Sequence, residues 1–211
     1  MVDRVSKLGI MNNTDKKDQA LKLLRESIQY DVMIPDSEWH YAAKHFQILT
    51  FPKNSFLVKA GDYLDRVFSI CSGLVRYFYI TDSGKEFNKY FVMDNRFFGS
   101  FSSLFHRMPC GFFIQALENT EVLVITRASL EIMYSRHSCW ERLVRLAAMS
   151  FICHMEKREK EFLLDSLEVR YHRFVEEYPG LIKRIPQYHV ASYLGVTDVA
   201  LSRLRKRSDL K

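Results

Sequence analysis

The sequence predicts an α+β chain in which an antiparallel β-barrel is followed by one long helix and a pair of short crossed helices. Three observations carry this. Between Ile48 and Arg127, short runs of Val, Ile, Phe and Tyr are punctuated by Gly61, Gly73, Gly84, Gly99 and Gly111, the texture of short strands that turn repeatedly. From Ser138 to Leu164 a helical pattern runs with neither Gly nor Pro. From Gln187 to Lys206 apolar residues and one glycine fall at the positions that two packed helices and a tight turn require.

The elements follow in order. Leu21, Leu24 and Ile28 form a helical stripe within 20–30, and Pro35-Asp36 opens a short helix to about His45. Residues 1–14 read as loose. LVRYFYI (74–80) and FNKYFVM (87–93), joined through Thr81-Asp82-Ser83-Gly84, read as a hairpin. FFIQAL (112–117) and EVLVIT (121–126) read as a second. Ala128 to Arg136 is a short helix. Ser138 with Glu141 three residues on is a capping box for the long helix, which at roughly 25 residues spans about 37 Å. Trp140, Val144, Ala147, Phe151 and His154 repeat at 4- and 3-residue steps along it, the seam spacing of a coiled coil, which suits a homodimer interface or, alternatively, packing of the helix on its own barrel. Asp165 to Tyr178 makes another helix, stopped by Pro179-Gly180. The expected organisation is 1–137 for the N-terminal helices and barrel, 138–164 for the dimerisation helix and 165–211 for the terminal helices.

Charge is concentrated at the carboxyl end. The chain of 211 residues carries a net +6. Of this, +5 lies in 179–211, from seven Lys or Arg against Asp198 and Asp209. Such a bias points to an anionic partner. With 47% hydrophobic and 14% aromatic residues the chain can bury a sizeable core. Four cysteines (Cys71, Cys110, Cys139 and Cys153) show neither CxxC pairing nor histidine partners at zinc-finger spacing, so no disulfide framework or metal is expected. The apolar stretch 143–155 holds Arg145 and His154 and falls short of the ~20 residues of a membrane span. The N-terminus lacks the apolar core of a signal peptide. A cytoplasmic protein without a membrane partner is expected.

Within 187–206, Val190, Leu194, Val196, Leu201 and Leu204 supply the small core of a helix-turn-helix. Ala191 leaves room for the helices to cross, and Gly195 takes the turn. Thr197 caps the second helix, and Asp198 complements its dipole. Thr197, Asp198, Val199, Ser202, Arg203 and Lys206 lie on the face that would enter a major groove of double-stranded DNA. Arg203 is the candidate for a bidentate guanine contact. Val199 is suited to a thymine methyl and Asp198 to a cytosine amino group. Arg205, Lys206 and Arg207 are candidate phosphate contacts. Enzymatic readings find little support. His106 is the only histidine between Ile48 and Arg127, so no metal triad can form there, and no GxSxG is present. The alternative to a DNA-binding regulator is a dimeric interaction or ligand-sensing module that has lost DNA binding.

The order of barrel, long helix and helix-turn-helix resembles the Crp/Fnr superfamily, the cyclic AMP receptor protein and the fumarate-and-nitrate regulator among them, over about residues 20–207. AGDYLDRVFSICSGLVRYFYITDSGKE (60–86) is similar to the core of the family's barrel, a double-stranded β-helix of the cyclic-nucleotide-binding kind. RFFGSFSSLFHRMPCGFFIQALE (96–118) stands where the phosphate-binding cassette belongs. The resemblance implies homodimers on pseudo-palindromic promoter DNA, with RNA polymerase and a small-molecule effector as further partners. It implies an effector pocket at Phe98, Gly99, Ser100, Cys110, Gly111 and Phe112. The acid expected after Gly99 is Ser100, and the expected Arg-Ser pair reads Cys110-Gly111. Without the arginine no charge-assisted contact offsets desolvation of a cyclic phosphate, which argues against cyclic AMP and leaves no cofactor assigned. Phe97, Phe98, Phe101, Phe105, Phe112 and Phe113 are expected mostly in the barrel core. Nor is there an N-terminal cysteine cluster for an iron–sulfur centre, and Cys110 would be a redox-sensitive thiol only if exposed. The end at Lys211 predicts a wing that is shortened or absent.

Overall fold

The computed structural model describes residues 13–93 and 96–208, with the Ser208 side chain left out. The expectations for the loose N-terminus up to residue 12 and for the wing at 209–211 lie outside the described residues. The chain divides into two compact units, one of residues 1–77 and 91–148, the other of 78–90 and 149–211.

In the first unit, helices α1 (Asn13–Ile28) and α2 (Asp36–Ala43) precede the strands. α1 starts well before the expected residue 20. Strands β1 (Gln47–Phe51), β2 (Phe56–Val58), β3 (Arg66–Ser72), β4 (Val75–Ile80), β5 (Glu86–Val92) and β6 (Phe97–Phe98) lead to helix α3 (Phe101–His106). Strands β7 (Phe113–Ala116) and β8 (Thr120–Thr126) and helix α4 (Arg127–Arg136) follow.

The strands form two four-stranded sheets, ordered β1-β8-β3-β6 and β2-β7-β4-β5, in a jelly-roll-like arrangement. The expected closed barrel is therefore corrected. Among the described residues no strand is hydrogen-bonded into both sheets, and the ladders stop at very short pieces, three residues in β2 and two in β6. The expected hairpin of β4 and β5 forms, closed by Thr81 N–H donating to the Lys85 carbonyl at 3.0 Å. The second expected hairpin does not form, because β7 and β8 lie in different sheets. Between them the chain anchors on the start of β4: Leu117 N–H donates to the Leu74 carbonyl at 2.8 Å, and the Thr120 hydroxyl accepts from Leu74 N–H at 3.3 Å.

Alternation along β8 sends Leu123 and Ile125 to one face and Val122 and Val124 to the other, all of them buried. Leu123 and Ile125 join a helical core that includes Leu21, Leu24, Trp39, Met133 and Trp140. Across that core the buried Glu38 carboxylate accepts from Arg136 at 3.0 Å and from the Trp140 indole at 3.2 Å. Of the six expected core phenylalanines only Phe98 is fully buried. Phe97, Phe112 and Phe113 are half-buried, and Phe101 and Phe105 are exposed on α3. The last two belong to a helix of under two turns, so only one of its faces meets the sheet.

Helix α5 (Cys139–Leu164) leads out of the first unit into the second, which continues with α6 (Leu167–Glu177), a 3₁₀ turn (Leu181–Lys183), α7 (Gln187–Leu194) and α8 (Asp198–Ser208). Among the described residues no helix is long and apolar enough to cross a membrane.

Candidate nucleic-acid interface

Local sequence sets each helix end in the second unit. Ser166 caps α6 by accepting from Val169 N–H. Gly180 (φ +80°) turns the chain after it, and Pro186 precedes α7. Gly195 ends α7 in the left-handed region at φ +71°. The Thr197 hydroxyl accepts from Ala200 N–H at 3.2 Å and starts α8. Val190, Ala191, Leu194 and Leu201 are buried between α7 and α8, whereas Val196 and Leu204 are half-buried. The sequence reading missed the aromatic floor beneath them. Phe174 stacks obliquely on Tyr178 at 5.2 Å and Tyr193 at 5.0 Å, and Arg158 lies 3.6 Å over the Tyr193 ring. The i, i+4 pair Phe174 and Tyr178 was its visible signal.

On the outer side, Thr197, Asp198, Val199, Arg203, Lys206 and Arg207 are exposed and Ser202 is half-buried. Arg205 is half-buried and donates to the Gln187 carboxamide at 3.3 Å, so it braces α8 on α7. One edge of α8 thus offers Arg203, Lys206 and Arg207 to an anion, with Val199 as its apolar member.

Helix α7 is also held by the hairpin tip of its own unit. Asn88 donates through its backbone N–H to the Ser192 hydroxyl at 2.9 Å and through its amide to the His189 carbonyl at 2.9 Å. Its amide also meets His189 Nδ1 at 3.1 Å. The Ser192 hydroxyl donates on to the Glu86 carbonyl at 2.9 Å. Asn88 and His189, both buried, carry no sequence signature and went unpredicted.

The expected seam of α5 turns largely inward. Trp140 is buried against Glu38, and Val144 and Ala147 are half-buried. Phe151 and His154 pack on Tyr90 at 5.9 and 4.7 Å. His154 Nδ1 also lies 3.0 Å from Glu177, which Lys157 approaches at 3.1 Å. Burial pushes the Glu177 carboxyl up, but the His154 and Lys157 bonds together outweigh it and hold it at about 2. The outward face of α5 instead shows Met149, Ile152, Cys153 and Leu163.

The expected effector cassette lies within the first unit. Phe98 is buried and stacks on Phe68 at 5.2 Å. Ser100 is buried and caps α3, and Gly99 is half-buried. Cys110 is 2% exposed, its thiol on the Phe112 carbonyl at 3.2 Å, so the exposure that redox sensing would need is not met. Gly111 is exposed and Phe112 half-buried. No charged side chain stands among these six.

Residues 48–137 match the sequence profile of the cyclic nucleotide-binding domain family. FixK2 from Bradyrhizobium japonicum superposes with a TM-score of 0.69 at 18% identity, over 77% of this chain and 83% of that one. CLP from Xanthomonas campestris, described as a cyclic-di-GMP-responsive global regulator, gives 0.67 at 12% identity, over 83% and 92%. A chain described as a Crp/Fnr-family transcriptional regulator, from Eubacterium rectale, gives 0.66 at 14%, over 87% and 86%. The fold is that of the Crp/Fnr regulators. Among curated protein sequences none matches.

Ser100 thus serves as a helix cap and Cys110 as a buried thiol. Among the described residues no group of three or more His, Cys, Asp or Glu is arranged to hold a metal ion.

Proposed function

We propose that this chain is a DNA-binding transcriptional regulator of the Crp/Fnr type, a homodimer that reads a pseudo-palindromic site with α8. The exposed basic edge of α8, mounted on a buried two-helix core with a glycine turn, is the observation that carries this reading. In it α7 and α8 are a helix-turn-helix, Arg203 and Val199 read base edges, and Lys206 and Arg207 fix register on phosphates. Arg205 reaches a phosphate only with the nitrogens that Gln187 leaves available. The functional layout is sensing in 1–137, dimerisation in 138–164 and DNA binding in 165–211. Because Trp140, Phe151 and His154 pack inside their own chain, the dimer contact falls on the neighbouring face of α5, with Met149, Ile152 and Leu163 at its centre.

Selection of binding sites from random duplexes across a salt series tests the reading. An inverted repeat with half-sites about one helical turn apart is expected, held by an affinity that falls steeply with salt. Failure to enrich any sequence, with retention insensitive to salt, would leave the interaction-module reading in its place.

A further inference from the structure

The two cassette segments that a cyclic nucleotide would bridge are already bridged by one side chain. Tyr77 lies on β4 and is 3% exposed. Its hydroxyl accepts from Gly99 N–H at 2.8 Å and donates to the Gly99 carbonyl at 3.0 Å. Its ring lies 5.0 Å from Phe112 and 6.5 Å from Phe98, which is itself stacked on Phe68. One phenol therefore holds the Gly99 segment, where the ribose would be gripped, and packs on the residue just after Cys110-Gly111, where the phosphate would be. The lost residues and this insertion complement each other. Ser100 and Cys110 supply neither the acid nor the cation for a nucleotide, and both are buried in bonds to their own segment.

We propose that Tyr77 is a built-in occupant of the effector cassette, fixing it without a bound nucleotide, so that the protein's DNA binding needs no cyclic nucleotide. This rests on the effector-cassette part of the regulator reading above. A phenol can take this place because it combines an aromatic body that fills apolar space with one group able to donate and accept at once.

The test uses the full chain without DNA. In Tyr77→Phe the ring stays and both hydroxyl bonds go. Hydrogen exchange at the Gly99 amide is then expected to quicken about tenfold, the opening equivalent of one lost net hydrogen bond. Unchanged exchange would overturn the proposal. In Tyr77→Ala, added 4-methylphenol is expected to raise the unfolding midpoint more than toluene does, with no effect of either on the unaltered protein. Equal effects of the two solutes on the variant would count against the hydroxyl. Should Tyr77→Ala not fold, the exchange measurement still decides. Cyclic AMP and cyclic GMP, titrated calorimetrically into the unaltered protein, should give no binding, and saturable binding of either overturns the proposal. None of these readouts involves DNA, so failure of site selection and failure of this proposal are separately visible.

Discussion

At single residues, backbone geometry and side-chain chemistry separate what supports α8 from what it presents. At Gly195 a Cβ would come 2.7 Å from the Phe162 ring, at a φ of +71°. Gly195→Ala should therefore cost more than the 1–2 kcal/mol or so of the left-handed backbone alone, read as a lower urea midpoint. Thr197→Ala removes the α8 cap and should cost about 1 kcal/mol, read as a lower urea midpoint. Arg203→Ala should relax preference at one base pair, losing about 1–3 kcal/mol of discrimination. Lys206→Ala should instead weaken all duplexes alike and lower the salt slope by about 1. Competition binding on the selected site and on scrambled duplex separates the two. Gly195 and Thr197 were legible in the sequence because their roles depend on neighbours one turn away. Asn88, His189 and Tyr77 were not. Each is a polar group whose partner lies in another element, and nothing in its own neighbourhood marks it for burial.

Among the elements, the misread strand pair shows what a short-range pattern leaves open. Two apolar runs joined by a brief polar link look alike whether the chain folds back on itself or steps across to a second sheet. Here Leu117 and Thr120 anchor the link on Leu74, and the step wins. Thr120→Val would leave the buried Leu74 N–H without that acceptor and should cost about 1–3 kcal/mol in urea unfolding. The long helix, by contrast, was legible over its whole length. Whether its seam meets a second copy or its own chain was not legible, because a 3.5-residue spacing does not say whose surface it meets. The Glu177 contacts between α5 and α6 give that seam a pH signature. A carboxyl held at about 2 when folded, against an ordinary 4.5, stabilises the folded state fully above pH 4.5. The contribution drains away as pH falls toward 2. Urea unfolding followed by circular dichroism should show that slope, and Glu177→Gln should flatten it between those limits.

For the whole molecule, self-association is the property that the regulator reading most depends on. A dimer at micromolar concentration is expected in sedimentation, and Ile152→Asp, which places a charge on the exposed face of α5, should shift it toward monomer. A monomeric parent protein would remove the basis for a palindromic site. The order in which the chain visits its two units has a practical outcome of its own. It enters the helical unit with 78–90, returns, and leaves again only at residue 149. No single cut can then release either half intact. A fragment ending at residue 148 would carry the β4–β5 tip with Asn88 bereft of His189 and Ser192 and Tyr90 bereft of Phe151, while the complementary fragment would lack the tip altogether. Expressed separately, each piece should aggregate. Mixing the two during refolding should recover soluble material, because each fragment carries the partners that the other's tip and helices pack on.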